Sequence, residues 1–272
     1  MAKRIIKLFV ISIFFLQVFS FAFGAPIVIY GDSRNGHKAH RRVVSAILKF
    51  KPSVVFHLGD FVNFGSSKYD WQIFDEITAE LFKAAEFYPV TGNHERDSAM
   101  FFRRFKLPQY RAWYSVERDG IHFVILDNNF ELSEGSPQYK WLEEDLKNIS
   151  DKVQFRVVLM HYPFFSVIRK DGGYRKLRSA LLPLFKKYRV DMIFSGHDHS
   201  YQRFFRDDIY YVVTGGGGAP LYGQKYFNPY LKKFFKGNHF CVLTVEGKII
   251  NVKVLDTGLN LIDEFKVPTE NR

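Results

Sequence analysis

Five short apolar runs in this chain end in the same way, and that repetition constrains the fold more than any other feature. Ile27–Tyr30 leads into Gly31-Asp32, Val54–Leu58 into Gly59-Asp60, and Tyr88–Val90 into Thr91-Gly92-Asn93-His94. Phe155–Met160 leads into His161, and Met192–Phe194 into Ser195-Gly196-His197-Asp198-His199. Apolar runs this short, rich in Val and Ile and bounded by turn residues, read as buried strands. Segments of helical period stand between them: His40–Lys49 with Val43, Val44, Ile47 and Leu48, then Tyr69–Ala85, then Tyr174–Tyr188. Strand, polar loop and helix in alternation predict an α/β fold, and in open α/β sheets the carboxyl ends of the strands are where ligands bind.

The rest of the chain adds strands. Trp113–Val116 and Ile121–Leu126 flank Asp119-Gly120, a two-residue hairpin turn. Ser136 caps a helix that has Pro137 at its first position, carries Trp141, Leu142, Leu146 and Ile149, and ends before Asp151. The remainder is β only: Tyr210–Thr214, His239–Val245, Ile249–Leu255 and Leu261–Phe265. These are too many strands for one sheet, and the β-only tail needs a partner. The spacing therefore predicts a four-layer αββα sandwich, two mixed sheets face to face with helices outside. No repeat or linker divides the chain, so residues 25–272 are expected to form one domain. Gly215–Gly218 lacks the Lys-Ser or Lys-Thr of a P-loop and reads as a flexible turn.

The amino terminus is different. Lys3, Arg4 and Lys7 precede an apolar run from Leu8 to Phe23, the shape of a signal peptide, with cleavage expected after Gly24 and export of the remainder. About 18 apolar residues can also span a bilayer, so an uncleaved membrane anchor is the alternative. No Cys near the run offers an acceptor for lipid. Cys241 stands alone, which excludes an internal disulfide, and its neighbours read as a strand around a buried, inert thiol. The formal charge of +11 includes three basic residues of the signal, leaving +8 on the rest. A basic surface concentrates anionic substrates and also suits nucleic acid or anionic lipid. Much of this charge is scattered, as at Lys186-Lys187 and Lys232-Lys233.

Asp, Asn and His at five strand ends supply hard oxygen and borderline nitrogen donors, a mixture that suits zinc, manganese or iron. Singly, a Gly-Asp turn or a His after a strand is an ordinary structural feature. Five in one structural slot, with Gly allowing the sharp turn, point into a shared crevice.

The order Gly-Asp, Gly-Asp, Gly-Asn-His-Glu, His, Gly-His-x-His resembles that of the calcineurin-like metallophosphoesterases. Gly196-His197-Asp198-His199-Ser200-Tyr201-Gln202-Arg203 and Val158-Leu159-Met160-His161-Tyr162-Pro163 are similar to the purple acid phosphatase versions of the motifs. The resemblance spans about Ile27 to Gly218. It implies the same four-layer fold and two metal ions, drawn from Fe, Mn and Zn, that hydrolyse a phosphomonoester or phosphodiester with hydroxide made available near neutral pH. Carried over by position, Asp60 would bridge the ions, Asp32 and His199 would bind the first, and Asn93, His161 and His197 the second. His94 would be the general acid, with Glu95 orienting it.

Two positions depart from the family pattern. Arg34 stands where many members carry a ligand His, and guanidinium cannot coordinate a metal. Asn63 stands where the purple acid phosphatases carry a Tyr, which removes the reason for a purple colour. Arg34 is expected to bind substrate phosphate, and Asn63 or water to fill the vacant position. The partner is then a phosphorylated small molecule or polymer, and no stable protein partner is implied. Two other classes stay open: a surface binding protein with a degenerate metal site, and a nucleic-acid-directed protein or nuclease suggested by aromatic and basic residues interleaved in Tyr222–Phe235.

Overall fold

The computed structural model describes residues 24–96, 98–108 and 111–269, so the expected signal run up to Phe23 lies outside the described residues. The elements in order are β1 (Ile27–Tyr30), α1 (His37–Leu48), β2 (Val54–His57), α2 (Lys68–Ala84), β3 (Glu86–Pro89), α3 (Ala99–Arg104), β4 (Tyr114–Arg118), β5 (Ile121–Ile125) and α4 (Pro137–Lys147). They continue with β6 (Phe155–Met160), α5 (Arg175–Lys187), β7 (Met192–Ser195), β8 (Tyr201–Arg206), β9 (Ile209–Thr214), β10 (Leu231–Phe235), β11 (His239–Glu246), β12 (Ile249–Asp256) and β13 (Leu261–Pro268). None of the described helices is long and apolar enough to cross a membrane.

The strands form two mixed sheets, ordered β13-β12-β11-β1-β2-β3 and β10-β8-β9-β7-β6-β5-β4. Within the first, β1, β2 and β3 run parallel while β11 to β13 are antiparallel. Within the second, β5, β6, β7 and β9 run parallel, while β4 pairs antiparallel with β5, β8 with β9 and β10 with β8. Successive side chains of a strand face opposite ways, and both faces of the central strands are buried. Ile27, Ile29, Val54 and Phe56 of one sheet meet Phe123, Val157, Leu159 and Phe194 of the other in the central core. Val28, Tyr30 and Val55 turn to α1 and α2, and Val124, Val158 and Ile193 turn to α4 and α5. The four-layer αββα sandwich is thus present, and the apolar runs read as continuous because each strand is covered twice.

Several boundaries differ from the sequence reading for local reasons. The strand expected at Tyr88–Val90 begins at Glu86, where parallel pairing with β2 sets its register. Helix α3 has six residues, too few to show a period, and is capped by the Ser98 hydroxyl, which accepts from the Phe101 amide. Strand β8 is masked by Gln202, Arg203 and Arg206, although Gln202 is buried and Arg203 pairs with Asp263 at 2.7 Å. Strand β10 is an edge, and exposed Lys232 and Lys233 are the residues an edge tolerates. Gly215–Gly218 is not a flexible turn. The run is buried, the Gly217 amide donates to the Gly31 carbonyl, and a Cβ on Gly216 would fall on the His239 ring. Cys241 is buried in β11, its thiol pushed up to about 12 by burial.

Phe123 lies fully buried at the centre of the intersheet core, its ring 4.5 Å from that of Phe56. Phe123→Ala is expected to cost about 3–5 kcal/mol. Urea unfolding measures this, and a midpoint unchanged from wild type would contradict the face-to-face packing.

Candidate metal centre

The carboxyl ends of β1, β2, β3, β6 and β7 converge at one edge of the sandwich, and their loops turn with unusual backbone angles. Asp32 (φ 60), Asp60 (φ 56) and His197 (φ 66) all occupy the left-handed region. For residues other than Gly this costs about 1–3 kcal/mol each and persists only where the surroundings impose it. The surroundings here are hydrogen bonds between the loops. The Asp32 amide donates to the Gly59 carbonyl at 3.0 Å and the Arg34 amide to the Asp60 carbonyl at 3.2 Å. The His197 amide donates to the Asp32 carboxylate at 2.9 Å. Gly59 (φ 90) is required twice over, since a Cβ there would also lie 2.8 Å from His161 Nδ1.

Glu95 is buried and turns inward instead of standing exposed beside His94. Its carboxylate accepts from the amides of Asp60 at 2.9 Å, Gly92 at 3.2 Å and Val62 at 3.2 Å. This contradicts the expectation that Glu95 orients the His94 ring. The residue clamps the β2 and β3 loops together, a role that only its buried position discloses.

Among the described residues two groups of donor atoms form, each with all its atoms within 4.8 Å of one another: Asp60, His161 and His197, and Asp32, Asp60 and His199. Asp60 belongs to both. Asn93 joins the first group, its Oδ1 3.1 Å from His161 Nε2. In the second group His199 Nε2 lies 3.5 Å from Asp32 Oδ1. All six residues singled out as ligands are therefore brought together.

The ring orientations fit a cation. His161 Nδ1 lies 2.7 Å from the Leu58 carbonyl, and His199 Nδ1 2.7 Å from the Pro220 carbonyl. A carbonyl only accepts, so each Nδ1 carries a proton and each Nε2 is turned to the centre. His161 Nε2 there meets the carboxylate of Asp60, at 3.4 Å, and the amide oxygen of Asn93. The buried carboxylates of Asp32 and Asp60, gathered in one donor group, need positive charge beside them. Burial, with His161 and Arg169 close by, holds His197 far below the ordinary imidazole range, so that ring is a neutral donor. Burial opposes ionisation of Asp60, but the combined attraction of His161, His94 and Arg34 outweighs it and lowers its pKa.

The other expected residues lie at the rim. His94 Nδ1 is 2.6 Å from the Asn63 carbonyl and its Nε2 3.7 Å from Asp60 Oδ2, beside an open cleft of about 590 Å³. Arg34 Nε donates to Asp60 Oδ2 at 3.2 Å and its Nη1 to Asn63 Oδ1 at 3.5 Å. Asn63 also accepts from Asn35 at 2.7 Å, so its side chain braces the Arg34 loop. Tyr174 and Tyr222 were not singled out as site residues from the sequence. The Tyr174 hydroxyl lies 2.8 Å from His197 Nε2, and the Tyr222 ring stacks on His199 with centroids 4.4 Å apart. Both come from loops with no motif, and neither spacing nor pattern marks them.

The profile of the calcineurin-like phosphoesterases matches residues 25–201, more than half of the chain. The chain belongs to the calcineurin-like phosphoesterase family. Among curated relatives, a probable purple acid phosphatase 20 of Arabidopsis thaliana is 26% identical over 187 residues, covering 58% of this chain and 44% of the relative. Purple acid phosphatase 21 of the same plant is 30% identical over 175 residues, covering 54% and 40%. A nucleotide pyrophosphatase/phosphodiesterase of Hordeum vulgare is 28% identical, covering 62% and 58%. The chain thus spans less than two thirds of these relatives' length. Among solved structures, a purple acid phosphatase of yellow lupin shares the fold with a TM-score of 0.80 at 19% identity, covering 91% of this chain and 54% of that one.

For this member of the family, Asp60→Asn is expected to abolish binding of at least one metal ion and His161→Ala to empty mainly the Asp60, Asn93, His161, His197 group. Metal analysis of the purified variants measures this. Full occupancy in both would contradict the ligand assignment.

Proposed function

We propose that the chain is a metal-dependent hydrolase of phosphate esters that works with two divalent ions, from among iron, manganese and zinc. The observation that carries this reading is Asp60, one carboxylate common to both donor groups. Two cations about 3.5–4 Å apart repel strongly, and a shared anion offsets the repulsion. Bound there, the ions would supply Lewis acidity to the phosphoryl oxygens and lower the pKa of water.

The side chains of this chain perform the remaining tasks. His161, His199 and His197 hold their donors in fixed directions through the Leu58 carbonyl, the Pro220 carbonyl and Tyr174, Asp32 accepts from the His197 amide, and Asn93 Oδ1 lies beside His161 Nε2. Arg34, which cannot be a ligand, presents a planar guanidinium at the rim and binds a non-bridging phosphate oxygen, exchanging part of its contact with Asp60 for the substrate. His94 donates Nδ1–H to the Asn63 carbonyl, which leaves Nε2 to carry the proton given to the leaving oxygen. The purple acid phosphatase and phosphodiesterase names among the relatives support ester hydrolysis and leave monoesters and diesters alike within the reading. With Asn63 in place of a phenolate, the loaded protein is not expected to show the purple charge-transfer colour.

His94→Ala tests the acid role. A general acid contributes about 10²- to 10⁴-fold, and most when the leaving group is poor. The variant is expected to keep its metals, lose activity strongly on alkyl phosphates and lose much less on nitrophenyl phosphates. Equal losses on the two substrate classes would reject the role of His94 and leave the metal assignment standing.

A further inference from the structure

The segment Tyr222–Phe235 stands out in the sequence for aromatic and basic residues, and the metal centre uses Tyr222 alone. Beyond Tyr222 it lines a groove of about 330 Å³ together with the chain after β6, whose walls include Phe165, Lys170, Arg175, Arg178, Arg206 and Phe227. Of the charged residues lining it four are basic, and Asp171 is the one acid. The guanidiniums lean mostly on neutral partners. Arg178 donates to the Phe164 carbonyl at 2.8 Å and lies over the Phe165 ring at 4.5 Å. Arg175 donates to the Asp171 carbonyl, and Arg206 lies over the Tyr230 ring at 4.4 Å with the Asp207 carboxylate 3.5 Å from its Nε. Burial, then the charges of Arg206 and Arg175, lower the pKa of Arg178, the mark of cations crowded together. At the rim Phe227 is 86% exposed and Tyr226 40% exposed among the described residues.

The groove and the metal centre are built from the same two segments. The first carries His161 at its start and Tyr174, bonded to His197, just before Arg175. The second stacks Tyr222 on His199 and then joins the first, the amides of Lys225 and Tyr226 donating to the Val167 carbonyl at 2.8 and 2.9 Å. The same two segments therefore carry residues of both the groove and the centre.

We propose that this groove binds single-stranded nucleic acid, with its phosphodiester backbone leading into the metal centre. Guanidiniums take the phosphates, and exposed ring faces stack only on bases that are unpaired. A concave, cation-lined channel suits a chain; a bilayer is met by a convex apolar surface. The proposal rests on the hydrolase reading of the metal centre and names the substrate class it would act on.

Fluorescence anisotropy of labelled oligothymidylate with the metal-loaded protein tests it, the strand's integrity being checked on a gel. Phe227→Ala is expected to weaken binding about tenfold, and Lys170→Ala/Arg175→Ala to lower the salt slope by about 0.7 for each residue removed. These side chains are exposed, so the fold withstands the changes. Hydrolysis of a soluble phosphomonoester by the wild-type protein reports on the metal centre separately. A protein that hydrolyses the monoester but binds no oligonucleotide, or binds it with affinity indifferent to these substitutions, overturns the groove proposal alone. Binding to phosphatidylglycerol vesicles that requires Phe227, with no oligonucleotide binding, would overturn it in favour of a membrane surface.

Discussion

The arrangement of this protein depends on one carboxylate. Asp60 is almost fully buried, belongs to both donor groups, and faces His161, His94 and Arg34 at once. Burying an unpaired charge is costly, and the site answers by surrounding this one with cationic or metal-binding groups on every side. Its φ of 56° adds backbone strain, which Glu95 restrains by accepting the Asp60 amide. The same Glu95 holds the Gly92 amide, so the loop that carries Asn93 and His94 is set by the contact that sets Asp60. Displacing Asp60 would disturb both donor groups and the proposed acid together.

The two-sheet architecture makes this convergence possible. Asp32, Asp60 and Asn93 come from one sheet, His161, His197 and His199 from the other, and neither sheet carries a complete group. The packing of Phe56 on Phe123 deep in the core therefore fixes the separation of donors at the rim. Interiors are packed like crystals, and a site spread over two rigid sheets is held more tightly than one built on loops alone. The loops are in turn wedged by the glycine run Gly215–Gly218, whose lack of side chains lets its backbone lie against Gly31 and Ser33.

Much of this was legible in the sequence because its signals are local. A strand ending in a metal-ligand type of residue, four times out of five behind a Gly, is visible in a few consecutive letters; it disclosed the alternating fold and a shared crevice, and the family resemblance picked out the six donors. Ser136-Pro137 marked its helix start for the same reason. Features that depend on distant partners stayed hidden. Glu95 was read from its neighbour His94, yet its function lies with amides up to 35 positions away. Tyr174 and Tyr222 reach the centre from unpatterned loops, strand β8 hides behind polar side chains that are paired in three dimensions, and the glycine run looked free because its contacts are with β1 and β11. Arg34 was legible as a non-ligand, but that its guanidinium lies on the shared carboxylate appears only once β1 and β2 are side by side.

The proposal that Asp60 is shared between two ions is tested most directly by anomalous diffraction from crystals grown with manganese. The account predicts two peaks, one among Asp60, Asn93, His161 and His197 and the other among Asp32, Asp60 and His199, with the Asp60 carboxylate touching both and Arg34 withdrawn from it. A single peak, or none, with Arg34 still paired to Asp60, would contradict it.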